Sequence, residues 1–586
     1  MPIHSLNAPI SGMRVAQRNL TVTGHNMANV NTPGFSRQRV NQSDHFYRSM
    51  GLTATHRKEI GLGTDILSIQ QLRDQFLDQA FRHQIGRANY YNAMWNTSNQ
   101  IESVMRELLP TASGTSGIQA TRNIWNSIQE LTTNPRAVDH RVNFVSSART
   151  YLERMTHTFN QLQQQQQVLN NEIKDTVARA NELIVIINNM NREISRVEIG
   201  GQNANDFRDT RELAMEELSS ILDVNITFNR NGHAEISTNG MSLLSGGHIT
   251  YIGLRFTGNG TNFVEPVIGQ DVRPGSPILA YDPTFSNARS ILRFDRTPNH
   301  YERPALLLGL VTSRGLGSAH HASQTTENPY EAGATPPLDA YALFQWQVRR
   351  DFNANVAIIP RTIRHLDVSF NHMVTMINEF ITNQNASTDR STWGFWNDPL
   401  ANSDDATINM VTDSNRQQTG IPLFVTRDPD LIQNADPAQV NGFTLNYTLG
   451  NVIINPMLLA PGGYAYLGFA MDTLSVDDTT VLQNLLGAWQ YNNVSIDGSL
   501  EMNVDNLWNH IVTYLATETK ALEDASYNQN HRVRNLDTAR QRAFGVSLDE
   551  ELSNMMRFQH SFNASARLVN IIDSMIDTLI NRTGRG

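Results

Sequence analysis

Apolar residues recur at alternating three- and four-residue steps in three stretches of the chain, and each series predicts a helix with one apolar stripe. The strongest runs through Val145, Ala148, Leu152, Met155, Phe159, Leu162, Leu169, Ile173, Ala180, Leu183, Ile187, Met190, Ile194 and Val197, with Gln166 and Thr176 as polar steps. Neither Gly nor Pro occurs from Arg136 to Ile199, so nothing breaks the helix. At ~1.5 Å per residue the series spans ~80 Å, more than an ordinary globular domain. Two readings stand: a helical hairpin with the helix before it, or a coiled coil between chains. The other two series lie at the ends. Leu548, Leu552, Met555, Phe562, Ala566, Val569, Ile576 and Ile580 keep the spacing, interrupted by Gln559 and Asp573. Leu6, Ile10, Met13, Leu20 and Met27 repeat it more weakly, with Gln17 and Gly24 at the remaining steps. These half-seams pack on each other or on copies of themselves. Everything between them is then an excursion that leaves from one helix and returns to the other.

Between the seams the period changes several times. Pro33 stops the first helix at Thr32, and Pro33-Gly34 supplies the fixed and the positive φ of a type II turn. Val40 to Ile69 is broken by Gly51, Gly61 and Gly63 and reads as an extended arm or short hairpin. Helical pattern holds from Gln70 to Leu109 and from Ile118 to Leu131, and a helix carrying Leu213, Leu218 and Leu222 follows Gly200-Gly201. Val224 to Phe228 and Ala234 to Ser237 alternate as a hairpin, and strand-like pieces continue to about Thr312. A helix is expected from Pro360 with Ile363, Leu366, Phe370, Met373, Ile377 and Ile381 on one face. Short β-rich runs fill Thr392 to Tyr466, and a last helical stretch, Val504 to about Gln541, leads into the C-terminal seam. The fold class is α+β: an elongated multidomain chain with coiled-coil-like terminal helices, a long helical bundle and inserted β-rich domains. The expected domains are 1–65 with 542–586, 66–222 with 500–541, 223–391 with its helix near 361–383, and 392–499.

Composition narrows the chemistry. The 586 residues exceed one compact core. Lys and Arg number 46 against 56 Asp and Glu, with no basic cluster, which disfavours binding to nucleic acid. With no Cys at all, disulfides, thiolate metal sites and cysteine nucleophiles are excluded. The start, Met1-Pro2-Ile3-His4, is unlike a cleavable signal, and runs such as Leu183–Ile187 and Ala305–Val311 are too short to span a bilayer. No cofactor or metal is expected. His320-His321 lacks further ligands, Gly61-Leu-Gly and Gly315-Leu-Gly-Ser lack the remainder of a phosphate loop, and Asp404-Asp405 and Asp477-Asp478 sit among turn residues. The group Asp206, Arg208, Asp209, Arg211 and Glu212 reads as helix capping with local ion pairs. Gln163 to Gln167 is a polar stretch of helix, and catalysis has no support.

Asn26-Met-Ala-Asn-Val-Asn-Thr-Pro-Gly-Phe-Ser-Arg-Gln38 closely resembles the N-terminal signature of the bacterial flagellar rod, hook and hook-associated proteins, with Asn29, Asn31, Thr32, Pro33 and Gly34 forming its turn. Phe35-Ser-Arg-Gln38, Asn203 to Glu212 and Val546 to Leu579 look most like the members that join hook to filament. The resemblance covers roughly residues 1–250 and 500–586.

It implies a non-enzymatic axial protein, exported through the flagellar apparatus without cleavage and located outside the cell. The expected partners are copies of itself in a ring or tube, the hook protein, a second junction protein, and an export chaperone at the C terminus; nucleic acid and membrane are not among them. Assembly then falls to Leu6, Ile10, Met13, Leu20 and Met27 at one end. At the other, Leu548, Leu552, Met555, Phe562, Val569 and Ile576 serve both assembly and the chaperone. Pro9 departs from the pattern: it removes a hydrogen bond or marks the helix start, leaving residues 1–8 outside. Alternative readings are a hook or rod subunit, or an adhesive protein stacking Trp393, Phe395 and Trp396 on a sugar.

Overall fold

The computed structural model describes residues 6–44, 47–53, 56–61, 63–106, 117–257, 262–269, 272–273, 276–280, 288–292, 304–316, 352–381, 421–426, 447–469, 479–491, 494–495 and 501–578. Helix α1 (Asn7–Ala28) opens the chain, and strands β1 (Gln38–Asp44) and β4 (Thr64–Gln71) pair antiparallel behind it. Strands β2 (Tyr47–Thr53) and β3 (His56–Gly61) form a separate hairpin, the extended arm expected from the glycines. Pro9 sits third in α1 rather than before it. Its missing N–H costs nothing there, because the first four amides of a helix have no intrahelical acceptor, and the helix therefore includes Asn7 and Ala8.

The bundle is built on α4 (Val138–Ile199), 62 residues and ~93 Å long. Its apolar stripe is covered within the chain. Helix α3 (Gly117–Thr133) folds back on its first part, and α5 (Asn205–Ile221) and α6 (Leu306–Arg314) cover the rest. Phe144, Leu162, Ile173 and Ile187 are all fully buried, so the hairpin reading holds for α4. Helix α2 (Gln75–Arg106) packs along α9 (Val504–Phe544), with Ser98 Oγ 2.8 Å from Thr519 Oγ1.

Residues 306–314 correct the expectation of strands up to Thr312. A short apolar run serves equally well as a buried strand or a buried helix, and Leu307, Leu308, Leu310 and Val311 are buried on every side of α6. Gly309 permits this: a Cβ there would lie 2.8 Å from the Tyr90 carbonyl oxygen.

Small sheets dock on these helices through amide side chains. A meander of β5 (Asn225–Phe228), β6 (Ala234–Thr238), β7 (Met241–Ser245) and β8 (His248–Ile249) and a sheet of β9 (Ile252–Phe256), β10 (Val264–Gly269) and β11 (Ala288–Ser290) lie against α4. Asn181 accepts from the Ile252 amide at 2.9 Å and donates to the same residue's carbonyl at 2.8 Å. Asn191 does so with Ala234, at 3.0 Å each way, and Asn170 accepts from the Val264 amide at 3.0 Å while donating to the Asn262 carbonyl. Each amide completes a backbone pair that a strand edge would leave open. Helix α7 (Ile358–Ile381) repeats the device, with Asn378 accepting from Leu423 and Phe424 and donating to the Phe424 carbonyl. It starts two residues before Pro360. Strands β12 (Phe424–Thr426) and β13 (Val452–Ile454) pair beyond it, and α8 (Thr480–Tyr491) places Trp489 in the core. His320-His321, Trp393, Phe395, Trp396, Asp404-Asp405 and Asp477-Asp478 lie outside the described residues.

Candidate assembly joint and seams

The final helix, α10 (Leu548–Asp577), returns to pack along α1. The pair is thin. Among the described residues of α10 only Glu551 is buried, whereas a helix in a closed bundle would bury a full stripe. Met555, Phe562, Val569 and Ile576 lie half-buried on the side facing α1, as do Leu6, Ile10, Met13, Leu20 and Met27 on the opposing helix. The side chains of α1 that are fully covered are Pro9, Val15, Ala16, Val22, Thr23 and Asn26 instead. Leu548 and Leu552 turn to solvent, 46% and 47% exposed, because the helical rotation at the start of α10 points Glu551 at α1. A second apolar stripe, absent from the expected set, runs along the outer face as Leu568, Ile571 and Met575.

The signature turn forms as its Pro-Gly pair dictates. Phe35 N–H donates to the Thr32 carbonyl at 3.2 Å, and Gly34 has φ +78°. Asn29 caps it, accepting from Thr32 Oγ1 at 3.1 Å and donating to the His25 carbonyl. Asn31, Thr32 and Pro33 are exposed, while Gly34 rests on Leu213.

The turn delivers three consecutive residues into four different segments. Ser36 donates its amide and hydroxyl to Asp209, at 3.2 and 2.7 Å. Arg37 donates to Glu551 at 2.8 Å and Glu550 at 2.7 Å, and its amide donates to the Phe544 carbonyl at 3.0 Å. Gln38 exchanges both backbone bonds with the Asn26 side chain, at 2.9 and 3.0 Å, and its own amide donates to Asp206. The three stretches that carry the resemblance, far apart in sequence, therefore meet at one joint between the terminal pair and the bundle.

Behind Ser36 lies a buried ionic cluster. Arg73 pairs with Asp78 at 2.6 Å and Asp209 at 3.0 Å, Arg82 pairs with Glu212, and Arg540 pairs with Asp78 at 3.0 Å and with Glu216. Arg540 also stacks 4.2 Å from the Phe81 ring centroid. Asp209 and Glu212 are thus not local caps. They reach across to the turn and α2, Ala204 precedes the helix without a side-chain cap, and Arg211 points away to Asn191 and Gly232. Burial pushes the Asp209 carboxyl up to about 6, against the lowering pull of the Ser36 bonds and Arg73, with Asp206 adding to the rise. Burial likewise raises Glu216, against Arg540. Asp78, Glu212 and Glu216 lie close enough together to share a cation, but three guanidiniums already neutralise them. Arg82 and Arg540 carried no mark in the sequence, since their acids lie far along the chain, and Arg73 showed only its near partner Asp78 and not Asp209.

Residues 98–272 match the family described as the flagellar hook-associated protein FlgK helical domain, and residues 542–582 match the flagellar basal body rod FlgEFG protein C-terminal family. The chain is 25% identical to flagellar hook-associated protein 1 of Bacillus subtilis (strain 168), over 97% of this chain and 96% of that protein. It is 22% identical to the protein of that name in Escherichia coli (strain K12), over 98% and 99%. Similarity to the flagellar hook protein FlgE of Treponema pallidum is 38% but confined to 81 residues, 12% of this chain and 18% of that one. A solved structure of the flagellar hook junction protein FlgK from Burkholderia pseudomallei aligns at TM-score 0.37 and 14% identity, over 60% of this chain and 46% of that one.

These likenesses support a structural role for the chain in the bacterial flagellum. Its likeness to hook-associated protein 1 runs nearly end to end, whereas its likeness to hook protein is local.

Proposed function

We propose that the chain is an adaptor of the flagellar axis, joining hook to filament and required before filament subunits can attach. One observation carries the reading: α10 presents apolar side chains on two faces, and α1 half-covers one of them. Apolar surface of this extent on a solvated helix is stable when a neighbour covers it. Copies of the chain arranged as a ring or tube would close the seams, with hook protein below and a second junction protein above. Residues 1–65 with 542–586 would form the assembly domain, 66–222 with 500–541 the bundle around it, and 223–391 and 392–499 the outward lobes. Export would proceed through the flagellar apparatus without cleavage, with a chaperone shielding the C-terminal seam until assembly. Among the described residues no helix is long and apolar enough to cross a membrane.

The test is deletion of residues 548–580 with imaging of the cell surface. Hooks should form, filaments should be missing, and unattached filament protein should accumulate in the medium. Normal filaments after that deletion would sink the proposal.

A further inference from the structure

We infer that the groove between β13 and α4 is a docking site for an extended, uncharged segment of a partner protein, which adds to β13 as a parallel strand. The register of the ladder shows the open edge. Asn455 N–H donates to the Leu423 carbonyl at 2.9 Å, and opposed residues of an antiparallel pair alternate between hydrogen-bonded and non-bonded. Ile453 therefore bonds to Val425, while Val452 and Ile454 turn their N–H and C=O groups away from β12. Phe424, opposite Ile454, turns its own outward as well, and there Asn378 receives them. Among the described residues nothing receives those of Val452 and Ile454, although the two residues are only 3% and 5% exposed. Backbone groups so shielded cost free energy until they are paired.

A groove of about 600 Å³ runs beside them. It touches Val452, Ile453 and Ile454 in succession, and successive strand residues face opposite ways, so it follows the edge of β13 rather than one face. Leu152, Thr156 and Asn160 of α4 form the far wall, and Leu459, 46% exposed, lies at the rim. Further along α4, Asn170, Asn181 and Asn191 each clasp a strand; Asn160 makes no hydrogen bond among the described residues. Charge on the rim is balanced, because Arg149 and Glu153 pair with each other at 2.8 Å. That suits an uncharged occupant, since an added charge would lose hydration there without gaining a partner.

The same chain shows how such an edge is filled. Beside β9, Leu279 donates its N–H to the Leu254 carbonyl and accepts from the Phe256 N–H, at 2.9 Å each, as a parallel bridge to Arg255. Ser276, Pro277 and Leu279 line a second groove along α4 there, with Val177 across from them, and the segment Ser276-Pro-Ile-Leu279 is uncharged. Carried over to β13, an occupant residue opposite Ile453 donates to the Val452 carbonyl and accepts from the Ile454 N–H. The residues two before and two after it meet the Val452 N–H and the Ile454 carbonyl. Main-chain bonds hold a strand added in this way, and apolar side chains fill the space beside Leu152 and Leu459. Among the described residues the chain's own segment of this kind is already engaged at β9, so the occupant belongs to another protein.

The test uses the full chain and a capped peptide copying residues 275–281, Gly-Ser-Pro-Ile-Leu-Ala-Tyr. Residue-resolved hydrogen exchange follows the Val452 and Ile454 amides, with the Ile453 amide as the reference. In the chain alone both should exchange faster than Ile453, and at about ten times the peptide's Kd both should slow about tenfold while Ile453 is unchanged. Leu459→Asp in the chain should abolish the slowing, and so should Ile278→Glu in the peptide. Val452 and Ile454 amides as protected as Ile453 in the dilute chain alone would overturn the inference, as would exchange unaltered by peptide up to about 1 mM. Slowing that persists in Leu459→Asp would overturn it by placing the peptide elsewhere. Slowing that appears on concentrating the chain without peptide would assign the groove to a second copy and overturn the choice of a partner protein.

Discussion

Replacing Arg540 by Met isolates the charge on which the joint depends. The side chain is 8% exposed and faces Asp78 and Glu216, whose side chains are 3% and 12% exposed. Met fills much of the same volume and keeps a sulfur against the Phe81 ring that the guanidinium now covers at 4.2 Å, so the packing loss is small. What disappears is one positive charge between two buried carboxylates. Leaving a buried charge without its partner costs roughly 3 to 5 kcal/mol, and a cation–π contact of this kind adds about 1 kcal/mol that the sulfur largely returns. Arg540→Met should therefore lower stability by about 3 to 5 kcal/mol at neutral pH in urea unfolding followed by far-UV circular dichroism. Glu216→Gln in the same chain should recover part of it, because it removes one stranded charge. Glu216 is already raised by burial, and without Arg540 it takes a proton more readily still, so the loss should shrink toward pH 5. A loss below about 1 kcal/mol, or a Glu216→Gln change that adds to the damage, would refute the reasoning.

Three further outcomes are expected. Glu551→Gln, at a residue 2% exposed, should destabilise the chain by about 2 kcal/mol or more in urea unfolding, while Glu550→Gln, 62% exposed, should change the unfolding free energy by less than about 0.5 kcal/mol. Asn26→Leu strands the buried Gln38 amide and carbonyl and should cost about 2 to 4 kcal/mol, read as faster proteolysis of α1 from the native state. Gly309→Ala drives a Cβ to 2.8 Å from the Tyr90 carbonyl and should cost about 1 to 3 kcal/mol; an unchanged melting temperature would show that α6 can shift away.

The sequence disclosed what short-range physics controls. The α4 stripe, the Pro33-Gly34 turn and the hairpin of Asn225–Phe228 with Ala234–Thr238 follow from local period and from the φ demands of two residues. Residues 306–314 did not, since an apolar run without polar interruption has no period to read. The asparagine clasps were equally hidden: Asn181 and Asn191 look like solvated helix positions until a strand edge arrives from tens of residues away. Asp209 and Glu212 were visible as charges beside a helix start, but their partners Ser36, Arg73 and Arg82 lie more than a hundred residues upstream. The outer stripe of Leu568, Ile571 and Met575 was legible as composition. It falls outside the single heptad register that Met555, Phe562, Val569 and Ile576 define along α10.

The central claim is that the exposed apolar surface of the terminal pair exists for neighbours rather than for the chain's own fold. Leu568, Ile571 and Met575 are 51%, 50% and 59% exposed, and changing all three to Ser removes outer-face surface while leaving the face toward α1 intact. The decisive measurement is filament growth on cells that carry this triple variant, secreted at the parent's level. The account predicts hooks without filaments and free filament protein in the medium; filaments of normal number and length would contradict it.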